Sequence, residues 1–164
     1  MDFSDLEILC CGGTIDKVYF DAESSHQVGA PAAAEIFRRA RAAAPPIVSL
    51  MKKDSLDMTE DDRAAVVAAI RNSAARRILV CHGTDTMART ARAAGAADTG
   101  KTAVFVGAFL PAVFRDSDAD FNLGFALAAA QTLPPGAYIA MNGRIFPAET
   151  ARKNTQAGRF ETAE

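Results

Sequence analysis

Leu6-Glu7-Ile8-Leu9-Cys10-Cys11-Gly12-Gly13-Thr14-Ile15 is the stretch from which the rest of the chain can be read. An apolar run too short for a membrane span stops abruptly at two glycines and a threonine. That pattern predicts a strand buried on both faces, followed by a tight backbone turn. In an open α/β sheet, ligands sit outside the carboxyl ends of the strands, so Thr14 stands where a reacting group would be useful. A second stretch repeats the logic. Arg77–Cys81 reads as a strand, and His82-Gly83-Thr84-Asp85-Thr86 follows at its end.

Working outward, Asp16–Asp21 alternates polar and apolar residues, as a strand or hairpin arm leading into a loop does. Pro31 opens an alanine-rich helix expected to reach Ala44, stopped by Pro45-Pro46. Ile47–Met51 is the second buried strand, and Lys52–Met58 an exposed turn. Thr59 caps a helix, with Asp62 three residues on and Val66, Val67 and Ile70 on its apolar face. Thr86–Ala97 is a helix, Lys101–Gly107 a strand, Phe121–Thr132 a helix and Ala137–Met141 a fifth strand. Asn142-Gly143 turns the chain into a hairpin arm, Arg144-Ile145-Phe146. From Glu149 onward the chain reads as a polar tail with an isolated Phe160. Strands alternating with helices predict an α/β fold, a mostly parallel sheet covered on both faces in three layers.

Composition narrows the class. The chain of 164 residues fits one domain, spanning residues 1–164 with no second, carboxyl-terminal domain expected. Its 49% hydrophobic and 23% charged content is ordinary for a globular protein. A formal charge of -2 argues against nucleic acid or an anionic membrane as partner. The 3 cysteines, Cys10, Cys11 and Cys81, are odd in number and lie in strands, which predicts free thiols and a reducing, cytoplasmic setting. Cys10 and Cys11 point to opposite faces of one strand, so they do not form a chelating pair. With His26 and His82 the only histidines, no metal site is expected.

The chemistry-bearing residues gather at strand ends. A threonine hydroxyl is a weak nucleophile that needs a neighbouring base. Thr14 beside Gly12-Gly13, and Thr84 beside Asp85, offer two hydroxyls, one carboxylate and backbone N–H groups left uncovered by glycine, as an oxyanion hole requires. Each threonine taken alone also fits a turn or cap, and Asp85 fits a helix cap. Neither of the standard glycine-rich phosphate loops is present. The acidic group Asp116, Asp118 and Asp120 reads as a solvated helix start rather than a cation site.

Cys11-Gly12-Gly13-Thr14-Ile15 resembles the Thr-Gly-Gly-Thr-Ile signature of bacterial-type L-asparaginases, and His82-Gly83-Thr84-Asp85-Thr86-Met87 matches their second signature. Asp54-Ser55-Leu56-Asp57-Met58, Val106–Pro111 and Asp120–Leu123 are similar to further blocks of that family's amino-terminal domain, in the same order. In length the chain is similar to short-chain members. The resemblance implies a flavodoxin-like domain that hydrolyses L-asparagine to L-aspartate and ammonia through a threonine nucleophile and acyl-enzyme, without cofactor. It implies that Thr14 attacks the side-chain amide or assists the attack, with Tyr19 hydrogen-bonded to it. Thr84 would sit against a lysine, Asp85 complete a relay and bind the substrate ammonium, and Ser55 hold the carboxylate. Backbone donors near Thr84 or Thr14, with Ala108 as a further candidate, would face the oxyanion, and Gly13 would line the substrate site.

The sequence departs from the family pattern at Cys11, which replaces a threonine, and at Leu56, which replaces a polar residue. The lysine register admits Lys153 or Arg152; an arginine stays charged, so Lys153 is expected to be the base. Glutamine or another small amide as substrate, and a non-catalytic module that binds an amino acid, are the alternative readings. Exposed apolar residues such as Phe146 are expected to support a homodimer or larger homo-oligomer.

Overall fold

The computed structural model describes residues 3–20 and 25–163. In chain order the elements are β1 (Leu6–Gly12), β2 (Lys17–Phe20), β3 (Ser25–Val28), α1 (Ala33–Arg39), β4 (Ile47–Lys53), α2 (Glu60–Asn72), β5 (Arg77–Cys81), α3 (Met87–Ala96), β6 (Thr102–Val106), α4 (Ala119–Thr132), β7 (Gly136–Met141), β8 (Arg144–Pro147), β9 (Ala151–Asn154) and β10 (Arg159–Thr162). Single 3-10 turns at Thr14–Asp16 and Ser55–Asp57 follow β1 and β4.

Uninterrupted apolar runs make the centre of the main sheet, whose order is β4-β1-β5-β6-β7-β8. The first five strands are parallel and β8 returns antiparallel to β7. Counted along the chain, the parallel strands run second-first-third-fourth-fifth, the flavodoxin-like order. Chain direction across the sheet therefore reverses between β1 and β5, and the crevice at their carboxyl ends is the natural ligand position. Ile78, Leu79 and Val80 of β5 and Val104, Phe105 and Val106 of β6 are fully buried. Helices α1 and α4 pack together, as do α2 and α3, completing the layers on either side of the sheet. Alanines at 119, 126, 129 and 130 let α4 lie close against the strands.

Local signals act where physics places them. Thr59 Oγ1 accepts the Asp62 N–H at 3.2 Å and the Asp62 carboxylate accepts the Thr59 N–H at 2.8 Å, a reciprocal capping box. Helix α1 stops well short of Ala44. Arg41 adopts φ 53, and the N–H groups of Arg41 and Ala42 fold back to the carbonyls of Arg38 and Phe37, a Schellman ending that closes the helix before the prolines. Strand β4 runs on to Lys53, which pairs with Gly12 after a bulge in β4: the four steps from Ser49 to Lys53 face the two from Cys10 to Gly12.

Two further expectations are corrected. Residues 149–163 do not form a polar tail: β9 and β10 pair as an antiparallel hairpin, with Phe160 only 2% exposed. Phe146 is buried as well, its ring tilted against Phe160 at 6.5 Å, and its neighbour Ile145 is the large apolar side chain that β8 exposes. Lone aromatics in polar surroundings carry no periodicity, so the pocket that receives them is invisible in one dimension.

Candidate active site

Glycines bring the strand ends together. At Gly13, φ is 89, and a Cβ would lie 2.4 Å from the Gly83 Cα and N. A Cβ at Gly83 would lie 2.7 Å from the Ser55 Cβ and Oγ, and one at Gly107 2.4 Å from the His82 carbonyl oxygen. Real carbon contacts are about 3.5–4.0 Å, so only glycine permits these approaches. Three chain segments, the exits of β1, β4 and β5, thus touch backbone to backbone, placing the residues that follow them around one crevice.

Thr84, 4% exposed, follows Gly83 at the end of β5. Its Oγ1 accepts a hydrogen bond from Lys153 Nζ at 2.8 Å, and the same ammonium meets Asp85 Oδ1 at 2.6 Å. Lys153 comes from β9, 69 residues away in sequence, and its side chain is 14% exposed. Its Nζ also lies 5.3 Å from the centre of the Phe109 ring, a cation–π contact. Neighbours on a strand point to opposite faces, and Arg152 accordingly faces away, 3.6 Å from Glu161. The amine, one hydroxyl and one carboxylate form a continuous donor–acceptor chain.

Ser55, 1% exposed, closes the second side. Its Oγ accepts the Thr86 N–H at 3.3 Å and its carbonyl accepts the Thr86 hydroxyl at 2.7 Å, tying the turn after β4 to the start of α3. With Oγ already an acceptor, its own proton is available to a carboxylate. Lys17 Nζ pairs with Asp54 Oδ2 at 2.7 Å, holding the start of β2 against the same turn. Ala108, buried, follows Gly107 at the end of β6.

Thr14, half-buried, opens the 3-10 turn directly after Gly13. Tyr19 is set apart from the arrangement expected of it. It is 54% exposed, and its ring meets His26 edge-on at 5.6 Å, which in turn meets Phe114 at 5.8 Å. Among the described residues its hydroxyl makes no hydrogen bond to Thr14. The strand pairing of β2 with β3 sets Tyr19 opposite His26, and that register decides where the ring goes.

Three buried titratable groups lie on the segments that lead into the crevice. His82 lies fully inside, Nδ1 2.8 Å from the Gly83 carbonyl and Nε2 2.9 Å from Thr90 Oγ1; burial pushes it down to about 4, so it is a neutral structural bridge. Asp16 is pushed up to about 6 by burial, against the pull of the Ala32 N–H that its Oδ1 accepts at 2.8 Å. Burial likewise pushes the Cys11 thiol up to about 12. Among the described residues no group of three or more His, Cys, Asp or Glu side chains could hold a metal ion, and no helix is long and apolar enough to cross a membrane.

One contributor escaped the sequence reading. Asp118 is not a solvated helix start: its carboxylate accepts the Phe109 N–H at 2.9 Å and the Leu110 N–H at 3.1 Å, shaping the loop after β6. The spacing Asp118-x-x-x-Asn122 at the start of a helix was the available signal, since residues four apart share a face.

A family model described as asparaginase, N-terminal, matches residues 5–162. Among solved structures, L-asparaginase I from Vibrio cholerae O1 biovar eltor str. N16961 is 25% identical with a TM-score of 0.79, over 96% of this chain and 50% of that one. The thermostable L-asparaginase from Thermococcus kodakarensis is 24% identical with a TM-score of 0.76, over 96% of this chain and 50% of that one. A probable cytoplasmic L-asparaginase from Campylobacter jejuni is 24% identical with a TM-score of 0.80, over 97% and 53%. The last two bear on the fold alone. This chain spans about half the length of each of these structures. No curated protein sequence matches it.

Proposed function

Because the chain belongs to the asparaginase family, through that family's amino-terminal domain, we propose that it hydrolyses the side-chain amide of L-asparagine to L-aspartate and ammonia. The observation that carries this reading is the lysine of β9 in contact with Thr84 Oγ1 at 2.8 Å and Asp85 Oδ1 at 2.6 Å. An ammonium has no lone pair, so Lys153 becomes a base only after releasing a proton, and Asp85 is the acceptor beside it. The neutral amine then takes the Thr84 proton or, through it, that of an attacking hydroxyl or water.

In this mechanism Thr14 Oγ attacks the amide carbon. A carbon–oxygen bond forms, the hydroxyl proton passes to the Thr84–Lys153 pair, and the carbonyl electrons move onto an oxyanion facing backbone N–H groups near Gly13, Thr84 and Ala108. Collapse breaks the carbon–nitrogen bond, the leaving nitrogen takes the proton and departs as ammonia, and a β-aspartyl ester of the threonine remains. Water, deprotonated by the same pair, hydrolyses the ester. Asp85 receives the substrate ammonium, and Ser55 donates its proton to the α-carboxylate. A second reading has a specific observation in its favour: the base touches Thr84 and Tyr19 turns away from Thr14, which makes Thr84 the alternative nucleophile.

Ammonia release from L-asparagine, L-glutamine and their D-forms tests the proposal. Turnover of L-asparagine supports it. A preference for glutamine moves the assignment to a glutaminase, a difference of one methylene worth about 1–3 kcal/mol. A folded protein that binds aspartate and releases no ammonia is a binding module. With hydroxylamine present, an acyl-enzyme yields the β-hydroxamate, and the ester's position by mass spectrometry separates Thr14 from Thr84. We further propose a cytoplasmic location, from three buried unpaired cysteines, and a homodimer or larger assembly, from the exposed Phe121, Val113 and Phe114; light scattering checks the latter.

A further inference from the structure

Lys153 sits in a strand that belongs only to a two-stranded sheet, β9 with β10. A lone hairpin is marginal in water, so contacts from outside must hold the amine in place. One is Arg92 of α3, whose Nη1 donates to the Ala151 carbonyl at 2.9 Å. A second is Phe146 of β8, whose ring lies 6.5 Å from that of Phe160, and others converge on Phe109. Its ring lies 6.5 Å from that of Phe160, and Phe160 stands directly across the hairpin from Lys153. The same ring lies 5.3 Å from Lys153 Nζ. Phe109 therefore touches both members of one cross-strand pair.

The Phe109 backbone belongs to an irregular loop with no strand or helix to hold it. A single carboxylate does so: Asp118 accepts the Phe109 N–H at 2.9 Å and 3.1 Å on its two oxygens, and the Leu110 N–H at 3.1 Å. Asn122, one turn further along α4 and 0% exposed, completes the clamp. Its Nδ2 donates to Asp118 Oδ2 at 2.8 Å and to the Gly107 carbonyl at 3.0 Å, and its Oδ1 accepts the Asn142 N–H at 3.0 Å. The end of β6, the start of α4 and the end of β7 are thus joined through two side chains.

We propose that Asp118 and Asn122 are positioning residues for amide hydrolysis, which by holding the loop after β6 seat the Phe109 ring beneath the Lys153 amine. The inference rests on the reading of Lys153 as the base. A ring face stabilises a cation above it, and Asp85 draws the same amine from the other side. The amine is held between them, in reach of Thr84. The remaining charged groups nearby are already engaged: Glu161 with Asn154, Arg152 and Arg159, and Arg92 with Ala151.

The test compares Phe109→Leu, Phe109→Tyr and Asp118→Asn with the unaltered protein, measuring kcat, KM for L-asparagine and urea unfolding. Phe109→Leu keeps an apolar filler and removes the ring face. It is expected to lower kcat about tenfold or more, since small misplacements of a reacting group cost that much, with KM within about twofold. Phe109→Tyr, which keeps the ring face, restores the rate. Asp118→Asn reproduces the fall in kcat, and if it does not fold, the Leu and Tyr pair still decides. The inference is overturned if Phe109→Leu, or Asp118→Asn that folds, keeps the unaltered kcat or loses only stability or KM, while Lys153→Met is inactive. Absence of ammonia release by the unaltered protein overturns the functional reading itself, a different result.

Discussion

Gly13→Ala tests the backbone contact on which the candidate site is built. The new Cβ would lie 2.4 Å from the Gly83 Cα and N, more than about 1 Å inside an ordinary contact. Those atoms are backbone just beyond the end of β5, so no rotamer change relieves the clash. Overpacking of this kind costs about 1–3 kcal/mol. Holding alanine at the φ of 89 found at Gly13 adds about 1–3 kcal/mol. The expected loss is roughly 2–6 kcal/mol, against a total stability of about 5–15 kcal/mol for a typical domain. Urea unfolding reads it directly, with Gly124→Ala as control. Gly124 lies within α4 with nothing inside 4 Å of its added Cβ, so alanine there should stabilise by about 0.5–1 kcal/mol. Gly13→Ala protein that remains folded should lose about 100-fold in ammonia release, because the two strand exits are forced apart by about 1 Å. Equal stability and equal rates in the two variants would show that the Gly13–Gly83 contact does not hold the site together.

Lys153→Met is expected to lower kcat by about 10²–10⁴, the usual worth of a general base, while Arg152→Met, which loses only an exposed pairing with Glu161, stays within about twofold; ammonia release decides between them. The pH dependence of stability has two opposing parts. His82, lowered from 6.5 to about 4, makes the native state lose about 3 kcal/mol as pH falls from 6.5 to 4, because the unfolded chain takes up the proton first. Asp16, raised from 3.8 to about 6, does the reverse: its ionised form burdens the native state above pH 6, and the burden of about 3 kcal/mol is relieved as pH falls toward 3.8. The two nearly offset between pH 6 and 4, so Asp16→Asn should unmask the His82 loss, and parallel urea-unfolding profiles for variant and unaltered protein would rule this out. Phe160→Ala should cost about 3–5 kcal/mol of packing, seen as faster amide exchange along β9 and β10 together with a lower kcat.

Most of the fold was legible because its signals are local. Strands β1, β5 and β6 are short apolar runs with their own punctuation, and Thr59 with Asp62 marks a helix start from side chains three residues apart. The end of α1 was less legible, since the left-handed Arg41 that closes it has no sequence mark comparable to glycine. In sequence the hairpin of β9 and β10 reads as tail because its strands are only 4 residues each and polar, and what makes them strands is the burial of Phe160 against Phe109 and Phe146. Asp118 looked solvated for the same reason: its partners lie in a loop that only the fold brings to it.

By itself the sequence determined an alternating α/β chain with Gly-Gly-Thr and Gly-Thr-Asp at the ends of two buried strands, since backbone freedom at glycine and the run lengths of apolar residues are properties of neighbours. Tertiary structure alone decided that β1 and β5 lie side by side, that Tyr19 turns toward His26, and that Lys153 rather than Arg152 meets Thr84. Those outcomes depend on strand order and register, which are set by burial summed over the whole sheet and by contacts between residues as distant as Phe109 and Phe160. No window of the chain contains that sum.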